Sequence, residues 1–224
     1  MTIGDIINDF RDRVVDKTAP YLWSNSELVN YANEAIEELC RECHFIQDDS
    51  SPMCTVTLQP EIASYTINTL IWSIGKVMTL SYDTSMTPVH RASRTVLDKN
   101  LGTWLSTSSG RPLVYVTDMN TGNFTLYPKP AVISYLNMTV FRYPLAGLSW
   151  QNLNGIPEIG TRHHRILVYG MMARALSKEN IDTFDQGAQT KAIIRWEKEI
   201  DKIKKEVIDA TYTPMTNIIP AGFF

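Results

Sequence analysis

The chain has 224 residues, 44% hydrophobic and 20% charged, with a formal net charge of −3 at pH 7. Those values fit a globular protein of one large or two small domains and argue against a general nucleic-acid binder, which is usually basic. The longest apolar stretch, near residues 166–173, is far short of a membrane span, the first residues lack the basic and apolar regions of a secretory signal, and three cysteines cannot pair completely, so reduced thiols are expected.

Residues 2–17 place Ile3, Ile6, Ile7, Phe10, Val14 and Val15 at helical spacing, with Asp5, Asp9, Asp12 and Arg13 opposite. Ala19-Pro20 ends that helix. The next one opens on Ser24 and Glu27, a capping box in which each side chain serves the other's amide, with Trp23 placed as a staple on Leu28. Behind this start Leu28, Ala32, Ala35, Leu39 and Cys43 recur at spacings of three and four, with Ile36 and Cys40 beside them.

Cys40, Cys43 and His44 spell C-x-x-C-H, the attachment pattern of a c-type haem. On the last turn of an amphipathic helix the two cysteines have a second reading, as small buried hydrophobes. We expect no haem. Cys54 is the remaining candidate partner for a zinc site, but it stands in a strand-like segment with no knuckle glycine, and no zinc is expected.

From residue 53 to 144 the period changes to two. Val56 and Leu58, then Tyr65 and Ile67, mark short strands, and 71–80 is a longer one. Residues 94–100 form a short helical insert. A hairpin follows over 113–128 with its turn at 119–122, then a strand with Leu136, Met138 and Val140 on one face and Tyr135, Phe141 and Tyr143 on the other. No long helices intervene, which favours an antiparallel sheet or small barrel over a doubly wound fold. Helical spacing returns over 161–177 (Ile166, Leu167, Gly170, Ala173, Leu176) and 183–210 (Ala192, Trp196, Ile200, Ile203, Val207), with Asp201 four residues before Lys205.

The predicted fold class is therefore α+β: a helical bundle from N- and C-terminal helix pairs, a central antiparallel β module and an extended C-terminal arm. The boundaries are 1–50 for the first helices, 51–150 for the β module, 151–210 for the last helices and 211–224 for the arm. The arm carries Pro214 and Pro220, which forbid a helix. Yet Tyr212, Met215, Ile218, Ile219, Phe223 and Phe224 are too apolar for a solvated tail. Tyr212, Pro214, Met215, Ile218, Ile219, Phe223 and Phe224 are the candidate binding residues of a segment that packs in a groove of another chain.

The chain offers no catalytic constellation. There is no G-x-G-x-x-G, no phosphate-binding lysine loop and no G-x-S-x-G. His163 and His164 are neighbours, about 100° apart on a helix, so one packed and one solvated histidine are expected rather than a metal pair. Glu37-Glu38 and Asp48-Asp49 read as solvated or helix-end carboxylates, and Lys202, Lys204 and Lys205 as a solvated face. No catalytic, cofactor-binding or metal-ligating residue is predicted, and no enzyme.

The ordered motifs resemble the head-to-tail adaptor (connector) proteins of tailed bacteriophages, of the podovirus, portal-associated type. The family's W-S-x-x-E-L-x-x-Y-x-N-x-A helix is matched by Trp23, Ser24, Glu27, Leu28, Tyr31, Asn33 and Ala35. Leu97, Asp98 and Trp104 precede a hairpin that begins Gly110, Pro112, Tyr115 and leaves through Leu126, Tyr127, Pro128 and Pro130. Tyr143-Pro144, Ile156-Pro157, the helix "RHHRILVYGMMARAL" and "DTFD" complete a likeness over most of residues 1–210. It implies a structural virion protein made in the host cytoplasm and carried in the neck. The implied partners are other copies in a dodecameric ring, the portal protein, and a downstream tail or nozzle protein. Double-stranded DNA would cross the central channel without specific binding, and no membrane is involved. The alternatives are another ring-forming neck or tail protein, or a β-rich module for carbohydrate or a host surface.

Overall fold

Thr2 caps the first helix, α1 (Ile3–Val14), with a full capping box to Asp5. In the computed structural model, which describes residues 1–80, 85–104, 109–178 and 186–211, two more of the amides left open at this helix start are used. Ile3 N–H donates to Gly155 O at 2.8 Å and Gly4 N–H to Leu153 O at 2.9 Å. The helix buries Ile3, Ile6, Ile7 and Phe10. Val15, expected on the same stripe, instead closes the helix in the left-handed region at φ 60° and is 82% exposed. Arg11, which periodicity does not single out, is buried. It bonds Asp16 at 2.6 Å and Trp23 O at 2.9 Å, which fixes the link to the next helix.

That helix is α2 (Asn25–Cys43), and Ser24 and Glu27 form its capping box as the spacing predicts. Trp23 is buried, its ring edge-on to Phe10 at 5.5 Å. The stripe from Leu28 through Ala32, Ala35 and Leu39 to Cys43 is fully buried, with Ile36 and Cys40.

The chain divides into two compact units. The helical unit joins Met1–Phe45 to the chain from Pro144 onward, and the β unit is Ile46–Tyr143. In the helical unit the long loop before the third helix is held by Asn33. Its side chain donates to Leu148 O at 3.0 Å and accepts from Leu148 N–H at 2.8 Å. The predicted helix over 161–177 is a 3-10 turn (Thr161–His163) followed by α4 (Ile166–Ala175); α5 (Gln186–Thr211) comes last. Gly170 of α4 faces both neighbours: a Cβ there would lie 2.8 Å from Ala35 Cβ and 2.9 Å from the Trp196 ring. A side-chain-free position lets the three helix backbones approach closely.

The β unit holds two sheets rather than one. In the first, β9 (Ser134–Arg142) is central. It pairs antiparallel with β4 (Ile71–Leu80) on one side, and with β1 (Gln47–Asp48) and β2 (Thr55–Leu58) on the other. β5 (Met86–Pro88) extends β4. Leu136, Met138 and Val140 point to the core, as the alternation predicts. The second sheet runs β3 (Ser64–Thr66), β8 (Asn123–Tyr127), β7 (Val114–Val116), β6 (His90–Arg91). Its β6–β7 pair is parallel, a departure from the antiparallel expectation. The cause is α3 (Arg94–Leu101), which carries the chain back between those strands. Trp104 is buried with Leu97 and Val116, and its indole donates to Asp98 at 2.8 Å.

The α+β class stands, with helices from both chain ends in one unit and the strands in the other. Every arm residue named above, from Tyr212 to Phe224, lies outside the described residues, as does the "DTFD" motif.

Candidate functional site

On α5, Arg195, Glu199, Lys202, Ile203 and Glu206 recur at spacings of three and four, so they line one side of the helix. Arg162, Arg165, Ile166 and Tyr169 come from the 3-10 turn and the start of α4, and Arg13 from the end of α1. Together these positions wall a cleft of about 1040 Å³ within the helical unit.

Tyr169 lies between two guanidinium groups, with Arg13 Cζ 5.1 Å and Arg195 Cζ 5.0 Å from its ring centroid. Arg13 also donates to the Tyr169 hydroxyl at 3.3 Å. Asp9 anchors two of the cations, Arg13 at 2.8 Å and Arg165 at 3.5 Å, and it raises the Arg13 guanidinium above its ordinary value. Arg195 pairs with Glu199 at 3.1 Å. Arg162 Nε donates to His163 Nε2 at 2.6 Å, and the His163 ring sits edge-on to Phe45 at 4.9 Å. Burial and then the Arg162 charge push the His163 imidazole below its ordinary value.

Two sequence expectations need correction here. His163 and His164 are both buried, because His163 packs on Phe45 while His164 faces the carbonyl oxygens of Met1 (3.0 Å) and Ile159 (2.9 Å) through its two ring nitrogens. Of the lysine run on α5, Lys202 and Lys205 are exposed as expected, Lys202 beside the cleft, but Lys204 is half-buried and bonds Glu42 of α2 at 2.8 Å.

A second charged feature runs along α2. Glu27 pairs with Lys178 at 2.7 Å, Glu34 and Glu38 with Arg174 at 3.2 and 2.6 Å, and Glu42 with Lys204. Trp196 Nε1 also donates to Glu38 at 3.1 Å. Glu38 is thus a link between helices rather than a solvated carboxylate. Lys178 and Ser24 hold the Glu27 carboxyl down to about 2.

Cys40 and Cys43 are buried on α2, and His44 follows as an exposed cap at φ 51°. Burial pushes the Cys43 thiol up to about 11, and its Sγ lies 3.9 Å from Ile200 O. Cys54 is buried in the β unit as the last residue of the 3-10 turn Pro52–Cys54, just before β2 rather than in a strand. Among the described residues no three His, Cys, Asp or Glu side chains converge as a metal site requires, and no helix is long and apolar enough to cross a membrane.

The family model described as SU10 adaptor protein matches residues 1–217. No curated protein matches the chain.

Proposed function

This chain belongs to the SU10 adaptor protein family, and from that membership we propose that it is a head-to-tail adaptor forming a ring beneath the portal of a tailed-phage virion. The family is one of phage adaptors, structural proteins rather than enzymes. The observation that carries the reading is the length of the match, which takes in both compact units. In this reading the ring is dodecameric and links the capsid to a downstream tail or nozzle protein. Each copy sets one patch against a different patch of its neighbour, a heterologous contact that closes. Helices build the body of the ring, the β unit projects toward a neighbour or the tail, and double-stranded DNA crosses the channel without specific binding.

The arm is the anchor in this proposal. Tyr212, Pro214, Met215, Ile218, Ile219, Phe223 and Phe224 pack along the portal or a neighbouring copy, partly as an added strand. Burying its two phenylalanines and two isoleucines contributes roughly 1.5–3 kcal/mol each before the cost of ordering the segment. The test mixes the purified chain with its portal ring and reads mass and negative-stain images. A ring of this chain on the portal is expected, and a chain that never associates with portal overturns the reading. Deleting residues 211–224 should leave the melting temperature nearly unchanged while abolishing that association. A truncated chain that unfolds, or that binds portal with full affinity, removes the arm from its role.

A further inference from the structure

The cleft between α1, α4 and α5 has a composition that selects among partners. Five cations line it, Arg13, Arg162, Arg165, Arg195 and Lys202, against two carboxylates, Glu199 and Glu206. The chain as a whole carries −3, so this is a local reversal of sign. Between the cations lie the half-buried Ile166 and Tyr169, with the buried Ile203 beneath them.

Arg13 spends its guanidinium on Asp9 and Tyr169, whereas the other arginines are held without being used up. Each guanidinium carries five N–H donors, and Arg165 is engaged through Nε with Asp9 while its side chain is 71% exposed. Arg195 spends one terminal nitrogen on Glu199 and is 55% exposed. Arg162 spends Nε on His163. The remaining terminal N–H groups suit planar carboxylates, which guanidinium recognises in a two-pronged fashion. Glu199 and His163 restrain Arg195 and Arg162 beforehand, which reduces the ordering cost on binding.

We propose that this cleft is a docking site for an acidic segment of a partner protein, one that presents several carboxylates around an apolar side chain. The apolar side chain would sit against Ile166 and Tyr169, and the carboxylates would meet Arg162, Arg165, Arg195 and Lys202. Duplex DNA fits less well. It needs an open basic surface along its phosphates, whereas here Glu199 and Glu206 stand inside the cleft and Asp9 anchors two of the arginines. A second copy of this chain also fits less well, because the acidic row on α2 is already matched by Arg174, Lys178 and Lys204 of the same chain. This inference goes beyond the adaptor reading, and its test needs no portal, so one can fail without the other.

The test uses the full chain and fluorescence anisotropy of a labelled synthetic peptide, four glutamates around a central leucine. The same peptide with lysine for glutamate and a labelled DNA duplex serve as comparisons. Saturable binding of the acidic peptide alone is expected, weakening as salt screens the charges. The double variant R165Q/K202Q changes two exposed positions and should melt like the parent while its Kd rises about tenfold or more. The proposal is overturned if the acidic peptide does not saturate, or if the double variant binds it as the parent does. It is equally overturned if the duplex binds more tightly than the peptide and is lost in that variant. A parent chain that self-associates while the double variant does not would also overturn it.

Discussion

Arg142 Nε lies 2.5 Å from Asp48 Oδ2, and both side chains are buried, 94 positions apart in the chain. The contact ties β1 to the end of β9, close to where the chain enters and leaves the β unit. Asp48 also accepts from the amides of Ser50 and Ser51, both at 3.0 Å, and from the Ser51 hydroxyl. Arg142 donates in addition to Tyr143 O at 3.0 Å.

Breaking one side of such a pair strands the other charge, at about 3–5 kcal/mol. Asp48→Asn should therefore lower stability by several kcal/mol, read from chemical denaturation. The pH dependence has a defined sign. The hydroxyl of Ser51, the Arg142 charge and the amides hold the Asp48 carboxyl well below the usual carboxylate range. A depressed folded-state value stabilises the fold fully above the unfolded value near 4, and that contribution fades as pH falls below about 4. The stability gap between parent and Asp48→Asn should narrow on acidification. A gap that stays constant from pH 7 to pH 3 would show that the pair is not the source.

Gly170→Ala sets two effects against each other. Alanine improves helix propensity by about 1 kcal/mol. Its Cβ, however, would lie 2.8 Å from Ala35 Cβ and 2.9 Å from the Trp196 ring, and overpacking of this kind costs about 1–3 kcal/mol. A net loss is expected, seen as a lower melting temperature, and adding Ala35→Gly should restore only part of it. A variant as stable as the parent would mean that α2 and α5 separate without cost.

The middle and one end of the α2 ladder should respond unequally. Arg174 is largely sheltered, bonds Glu34, Glu38 and Gly170 O, and lies 5.7 Å from the Trp196 centroid. Lys178 is 44% exposed and makes one pair. Arg174→Ala should cost about 1–3 kcal/mol, whereas Lys178→Ala should cost under about 1 kcal/mol and fade in high salt. Equal losses for the two variants would contradict this ranking.

Thiol chemistry tests the placement of the C-x-x-C-H motif. Burial raises the Cys43 thiol to about 11, and Cys40 and Cys54 are buried too. At pH 8 the folded chain should react with a disulfide reagent about a hundredfold more slowly than the denatured chain, since the thiolate is the reactive form. Rapid labelling of Cys43 in the folded state would refute the buried position.

What the sequence determined by itself is local. A capping box needs residues three apart, so Ser24 and Glu27 announce the start of α2 unaided. A helical stripe or a strand alternation is a repeat a few residues long, so the buried faces of α2 and β9 were legible, and with them the α+β class. Ordered motifs over most of the chain were also enough to reach the adaptor family. Only the tertiary structure decided what depends on distant residues meeting. Arg13, Arg162 and Arg195 are each ordinary surface arginines in their own segments, and they become a cleft only when α1, α4 and α5 pack together, with Arg13 and Arg195 on the Tyr169 ring. Likewise Asp48 looked solvated beside Asp49 until β9 brought Arg142 to it. One of His163 and His164 was expected to face water, until Phe45 covered the first and the carbonyl oxygens of Met1 and Ile159 held the second. Periodicity records how often a side chain turns inward. It does not record which distant charge or ring it will meet, because that pairing depends on how the elements pack.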